Sequence, residues 1–253
     1  MSVKTIGYNE EQFRLNYPEG NEGMWWIQAR HQVVMRYLRS DGLDKDTVLD
    51  LGCGTGNTVR LLRQAGITCY GCEISPVSVA PDIRPYILSP ADAREVPLEL
   101  RQTIKTILAL DVLEHIADPH ELLVEVQKLY PNLQRLICTL PAREELWSNY
   151  DTYFGHYKRY TLTSARALLQ GVGFTVKRAG YFFHMLYLPL WFVVRYRKQR
   201  ALHTPPPAWP FLDRILGYAF ALEERLLPKN LIGTSVLVVA EPPTRSGSVG
   251  NNA

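Results

Sequence analysis

The run Asp50-Leu51-Gly52-Cys53-Gly54-Thr55-Gly56 places three glycines directly behind the apolar pair Val48-Leu49. Glycines in such a turn adopt positive φ and let a ligand come close to the backbone. The GxGxG spacing alone is compatible with two kinds of nucleotide-binding turn, because the dinucleotide kind carries its third glycine one residue later. Three acids narrow the choice. Glu73 stands 21 residues after Gly52, at the end of a second apolar run, where a carboxylate can accept both hydroxyls of a ribose. Asp92, in Ala91-Asp92-Ala93, follows a third run and is placed to accept from an adenine amino group. Asp111 closes a fourth run in Ala109-Leu110-Asp111-Val112-Leu113-Glu114-His115-Ile116. Each acid alone would more often be a helix cap or a solvated loop residue. Their recurrence at successive run ends predicts one line of groups along the carboxyl edge of a sheet, where α/β folds bind ligands.

The elements that must hold this line follow from hydrophobic periodicity. Strands are expected at 47–51, 68–73, 86–88, 104–110, 136–140, 174–179 and 235–241, with helices at 58–65, 76–83, 119–130 and 163–171 between them. Residues 22–39 have helical spacing and form an N-terminal helix ahead of the sheet. Strands alternating with helices predict an α/β fold, a doubly wound, seven-stranded, mostly parallel sheet. The organisation is an N-terminal helical segment at 1–45, a core at 46–182, a helical insertion at 183–231, the last core strand at 232–241 and a disordered tail at 242–253.

The stretch 48–140 resembles the class I S-adenosylmethionine-dependent methyltransferases, whose fold is Rossmann-like. Asp111-Val-Leu-Glu-His115 matches the small-molecule branch that includes ubiquinone-type O-methyltransferases, and the likeness extends over 22–182. By that resemblance S-adenosyl-L-methionine is the cofactor. Asp50, Gly52, Gly54 and Gly56 flank its methionine part, Glu73 its ribose and Asp92 its adenine, while Asp111 sits near the sulfonium. Arg30, in Trp25-Trp26-Ile27-Gln28-Ala29-Arg30, matches an arginine that helps hold the cofactor in the same branch. The alternative is a surface helix arginine. Some ubiquinone-type relatives hold magnesium on an acid-x-x-Glu-His pattern, which Asp111, Glu114 and His115 match. No metal is expected, since a mixed nitrogen and oxygen set is a soft case for so hard a cation.

Methyl transfer is an in-line displacement, so orientation supplies much of its rate. A hydroxyl acceptor also gains from a general base. His115 and His156 are the catalytic candidates, His115 with a cofactor-lining role as its alternative. The block His156-Tyr157-Lys158-Arg159-Tyr160 resembles a Gly-His-x-Arg-Tyr-Thr signature found in some bacterial methyltransferases, with Lys158 inserted in the variable position. His156 would then face the acceptor, with Lys158, Arg159 and Tyr160 binding it. The competing reading is a loop packed by Tyr157 and Tyr160. The expected function is methyl transfer to a hydroxyl of a small molecule, on a lipid-linked or glycan-type substrate. A cofactor-binding partner subunit without catalysis is the alternative.

Composition narrows the partners. A net charge of +3 over 253 residues is too mild to imply nucleic acid. Base-amino methylation would require an Asn/Asp-Pro-Pro-aromatic turn where this chain has Asp111-Val112-Leu113-Glu114. Charge is nevertheless uneven: 15 Lys/Arg against 20 Asp/Glu up to residue 150, then 13 against 5. A basic second half fits an anionic partner or a merely solvated face. The run Tyr181-Phe-Phe-His-Met-Leu-Tyr-Leu-Pro-Leu-Trp-Phe-Val-Val-Arg-Tyr196 is apolar, too short to span a bilayer and followed by Arg197, Lys198 and Arg200. Membrane contact through 181–200, a lid over the acceptor and a dimer face are all compatible with it. Pro205-Pro206-Pro207 reads as a stiff turn after it. Cys69-Tyr-Gly-Cys72 has CxxC spacing, but on one strand those side chains point to opposite faces. With no signal peptide in the polar segment 1–12 and reduced cysteines, a cytoplasmic location is expected, with association to the inner face of a membrane as its extension.

Overall fold

Val48, Leu49, Asp50 and Leu51 are all buried because β1 (Thr47–Leu51) runs down the middle of a seven-stranded sheet. The computed structural model describes residues 7–18, 20–197, 199–202 and 209–244. The other strands are β2 (Cys69–Cys72), β3 (Ile87–Leu88), β4 (Ile104–Leu110), β5 (Arg135–Pro141), β6 (Thr175–Phe182) and β7 (Ser235–Glu241). Their order is β3-β2-β1-β4-β5-β7-β6, parallel throughout except for β7, which runs against both β5 and β6. Near-continuous apolar strands are what burial on both faces requires. The order reverses between β1 and β4, which opens a crevice at their carboxyl ends.

Nine helices flank the sheet among the described residues: α1 (Glu10–Asn16), α2 (Trp25–Ser40), α3 (Asn57–Gln64), α4 (Leu98–Thr103), α5 (Pro119–Leu129), α6 (Asn149–Tyr153), α7 (Leu162–Gly171), α8 (Tyr187–Phe192) and α9 (Pro210–Leu226). The two faces of the sheet carry separate cores. Leu49, Ile107, Leu136 and Val238 pack with α5 and α7, while Val48, Leu108, Ile137 and Val239 pack with α2 and α3. Cys72 belongs to the first core and Cys69 to the second, so β2 sends the CxxC thiols in opposite directions. All four cysteines are free and buried, and burial raises each thiol, which leaves them protonated and inert.

Two local expectations fail, and one element is additional. Residues 76–83 form a loop and turn before a short 3₁₀ turn at Arg84–Tyr86, because Pro81 would remove a helical donor and clash with the preceding turn. The apolar run 181–196 is split between two elements. Tyr181 and Phe182 end β6 opposite Val236 and Ser235, and with Phe183 and His184 they are buried. The helical part begins at Tyr187 and continues as a π turn, Val193–Arg197; Pro189 is tolerated within its first turn, where no backbone donor is needed. Helix α1 has no counterpart in the expected elements. The triple proline, Lys198 and the tail beyond Thr244 lie outside the described residues.

Helix α9 lies along α2, with the Phe220 ring tilted against Trp25 at 4.8 Å between centroids. All three of its N-terminal to C-terminal acids are engaged by the protein. Asp213 accepts the Trp25 backbone N–H at 3.1 Å, Glu223 accepts those of His184 and Met185, and Glu224 accepts the Tyr37 hydroxyl at 3.0 Å.

Candidate active site

The turn after β1 takes its shape from its glycines: Gly52, Gly54 and Gly56 all have positive φ, and Gly56 is the N-cap of α3. At Gly54 the need is double. Its φ is +55°, and a Cβ there would lie 2.5 Å from Cζ of Tyr17. The Gly54 N–H donates to Oε2 of Glu73 at 3.1 Å, and the Ser75 N–H donates to Oε1 at 3.0 Å. Burial raises the Glu73 carboxyl above its ordinary range, and these backbone donors oppose the shift. At Gly52 a Cβ would strike Val112 at 2.8 Å, so the turn after β1 is pressed against the end of β4.

A cleft of about 830 Å³, its open mouth included, runs along this edge. Gly52, Glu73, Asp92 and Asp111 line it, as do Val112 and His115. These four predicted groups therefore meet in one place. Asp92 is less free than its sequence context implies, because Arg94 donates to it from Nη2 at 2.6 Å, Nε at 3.0 Å and the backbone at 2.7 Å. Burial raises the Asp92 carboxyl, but the Arg94 bonds outweigh it and hold the group below its usual range. Asp111 has φ +57°, an uncommon conformation that Asp tolerates better than most residues. Two donors fix it: Arg30 Nη1 at 2.5 Å from Oδ2 and Thr139 Oγ1 at 3.0 Å from Oδ1. Arg30 thus reaches the cleft wall through Asp111, with its guanidinium 5.3 Å over Trp26 and its Nε unpartnered among the described residues.

Asp50 does not line the cleft. It lies 2% exposed under the turn and is hydrogen-bonded to Thr58; burial, opposed by the Arg30 charge and that hydroxyl, pushes it up to about 7. Gly54 and Gly56 shape the turn from behind in the same way.

The cleft also has a roof that sequence reasoning missed. Tyr8, Phe13 and Tyr17 come down from the N-terminal segment and line it. The signal was present: Asn9 and Gln12 form a reciprocal capping box at the start of α1, and Phe13 and Tyr17 follow at i, i+4 spacing.

On the far side, a backbone bond from the Tyr157 N–H to the Glu114 carbonyl, 2.7 Å, brings two segments together. The rings of His115 and His156 then meet edge to face at 4.6 Å, with His115 on the cleft wall and His156 behind it rather than facing the cleft as expected. Burial, reinforced by His156, pushes His115 down to about 4, so its ring is neutral near pH 7. His115 Nε2 lies 3.3 Å from the Tyr8 hydroxyl. His156 Nδ1 lies 2.9 Å from Oδ1 of Asp151, a fully buried carboxylate. Burial raises Asp151, yet its bond to His156 and the Arg159 cation prevail and hold it well below the usual carboxylate range.

The neighbouring residues of that block are placed differently from expectation. Arg159 is buried, with Nε and Nη2 on Asp151 at 2.8 and 3.1 Å and Nη1 on the Ala142 carbonyl at 3.0 Å. Tyr160 is in the core. Neither reaches the cleft; the guanidinium is consumed in tying the loop down. Lys158 is exposed, 4.9 Å over the Tyr160 ring. Ligand-type atoms of Glu114, His115 and His156 lie within 4.8 Å of one another, and Glu114 Oε2 is buried without a hydrogen-bond partner among the described residues. In this grouping His156 takes the place that the Asp-x-x-Glu-His pattern gives to Asp111, which is engaged by Arg30 instead.

Comparison with known proteins agrees with this architecture. The chain is similar in structure to the plantazolicin methyltransferase BpumL in complex with a monoazolic desmethylPZN analog and SAH, with a TM-score of 0.57 at 13% identity over 93% of this chain and 90% of that one. It is also similar to the magnesium protoporphyrin IX methyltransferase ChlM from Synechocystis PCC 6803 with bound SAM, with a TM-score of 0.53 at 19% identity over 92% and 90%. No curated protein matches the chain in sequence. At such identities the structures establish a shared fold. A sequence model of the family described as methyltransferase domain matches residues 26–179, more than half of the chain and all of β1 to β5. The chain belongs to that family and is a class I, S-adenosylmethionine-dependent methyltransferase.

Proposed function

We propose that the chain methylates a hydroxyl of a small-molecule acceptor, with His156 taking up the proton and Asp151 positioning it. The observation that carries this reading is the ordered contact from Asp151 to His156 to His115, which reaches the cleft wall at His115. A carboxylate behind Nδ1 favours that nitrogen as the donor and leaves Nε2 as acceptor. The same carboxylate stabilises the imidazolium that forms. His115, held neutral, adds no competing charge at the cleft.

The cleft suits the donor. Glu73 presents a buried carboxylate for the ribose hydroxyls, the bare Gly52 backbone and its neighbours leave room beside it, and Asp92 stands beyond for the adenine edge. Arg30 and Asp111 close the opposite end, where a compact ion pair can lie beside the methionine part. Bound there, S-adenosylmethionine supplies a methyl group activated by the adjoining sulfonium. The protein's task is alignment and exclusion of water, and the Tyr8, Phe13 and Tyr17 roof serves the second. An organic acceptor also agrees with the relatives, which are named for magnesium protoporphyrin IX and plantazolicin.

The test is His156→Ala, assayed for S-adenosylhomocysteine production across a panel of hydroxyl acceptors. Turnover should fall about 10²–10⁴-fold, the range for a lost general base, with cofactor affinity unchanged. Turnover that persists would place the proton acceptor elsewhere.

A further inference from the structure

The outer face of α9 has no use within the fold. Its inner face packs on α2 through Gly217, Phe220 and Ala221, yet the opposite side repeats the pattern of a buried helix. Phe211, Ile215, Tyr218, Leu222 and Leu226 fall at spacings of four, three, four and four, which align them in one stripe. All five are exposed, Phe211 by 78% and Leu226 by 69%. Helix α8 and its π turn do the same on a smaller scale, with Leu188, Phe192 and Tyr196 four residues apart and likewise exposed. An aligned row of exposed apolar side chains, unlike scattered single ones, marks an interaction surface.

Charge selects the partner. Arg214 and Arg225 flank the α9 stripe, and Arg195 and Arg197 flank Tyr196; all four are exposed, and none pairs with a carboxylate among the described residues. Arg214 and Arg195 lie over the rings of Tyr218 and Tyr196, each at 5.9 Å, so their aliphatic stems run beside the apolar groups. The acids of α9 are turned inward: Asp213 to the Trp25 backbone, Glu223 to the His184 backbone, Glu224 to Tyr37, Arg36 and Lys229. The fully exposed charges of α9 are therefore all cationic. A second copy docked on the same face would offer these arginines no carboxylate from its own α9, whose acids are already engaged. A layer of anionic headgroups over hydrocarbon meets both needs, with side chains entering the acyl boundary and arginines remaining at the phosphates. No helix among the described residues is long and apolar enough to cross a membrane, which leaves contact in the plane of the surface.

We infer that α9, assisted by α8, docks the enzyme on an anionic membrane surface. The experiment is flotation of the full chain with vesicles of phosphatidylcholine containing phosphatidylglycerol, beside vesicles of phosphatidylcholine alone, with light scattering to record the oligomeric state. Three variants accompany it: Phe211→Glu with Leu222→Glu, Arg214→Glu with Arg225→Glu, and His156→Ala. The substituted surface positions are exposed, so circular dichroism should be unchanged. The expected result is flotation with the anionic vesicles that weakens in high salt and falls at least tenfold in each surface variant. His156→Ala should float like the parent chain, which separates this inference from the catalytic one. Absence of flotation, equal flotation with neutral vesicles, unchanged flotation of the surface variants, or a dimer that hides the stripe would each overturn it.

Discussion

Replacing Glu73 by Gln separates what this carboxylate does for the fold from what it does for the cofactor. The side chain is 8% exposed and accepts two backbone N–H groups, one on each oxygen. Gln offers only one acceptor oxygen, so one of those buried donors loses its partner, at a cost of about 2 kcal/mol. For a chain of this size that corresponds to a Tm lower by about 6 °C. Two ribose hydroxyls would exchange charge-assisted bonds for neutral ones, about 1 kcal/mol each. Their sum is an affinity loss of about 30-fold. Calorimetric titration with S-adenosylhomocysteine, alongside thermal unfolding of the same sample, reads both quantities. Folded protein with a lowered Tm and affinity unchanged within about twofold would refute the ribose assignment and leave Glu73 as a support for the glycine turn.

Two further outcomes follow from buried charge. Asp151→Asn leaves Arg159 buried without its carboxylate, and removing one partner from such a pair costs about 3–5 kcal/mol. Urea unfolding that shows a loss below about 1 kcal/mol would mean that Arg159 is free to serve an acceptor after all. His31 is buried beside Thr58, and burial, aided by Arg30, pushes its pKa down to about 3. The unfolded chain binds this proton near pH 6.5 and the folded chain does not, so stability is complete above that pH and is lost as pH falls towards the folded value. His31→Gln should reduce the pH slope of the unfolding free energy between about pH 6 and 4 by about 1.4 kcal/mol per unit. An identical slope in the variant would show that His31 titrates normally.

The line of groups along the cleft was legible because its information is local. Strand ends carrying Gly52, Glu73, Asp92 and Asp111 recur at sequence spacings that the parallel sheet converts into one edge. The acceptor side depends on distant pairings. That Arg159 turns inward to Asp151 follows from α6 and the segment after it folding back together, and eight residues of separation carry no mark of it. Arg94 shielding Asp92 was equally hidden, although the two are only two residues apart, because either could have turned to solvent. The 181–196 run misled for a different reason. Its apolar content serves two purposes, strand burial up to Phe182 and surface exposure beyond Leu186, and hydrophobicity alone does not distinguish a residue facing the core from one facing outward. The N-terminal roof was missed because α1 buries little itself; its capping box was the clue.

That roof is tied to the rest of the site. Tyr17 rests on Gly54, so the N-terminal segment covers the glycine turn. Helix α1 is tethered at two points, Gln12 Nε2 to the Tyr153 carbonyl at 2.6 Å and Asn16 Oδ1 to the Tyr150 hydroxyl at 3.0 Å. Both tethers end on α6, the helix that carries Asp151 and through it orients His156. One short helix therefore anchors both the cover of the cleft and the carboxylate behind His156, so a substitution that loosens α6 disturbs the two together.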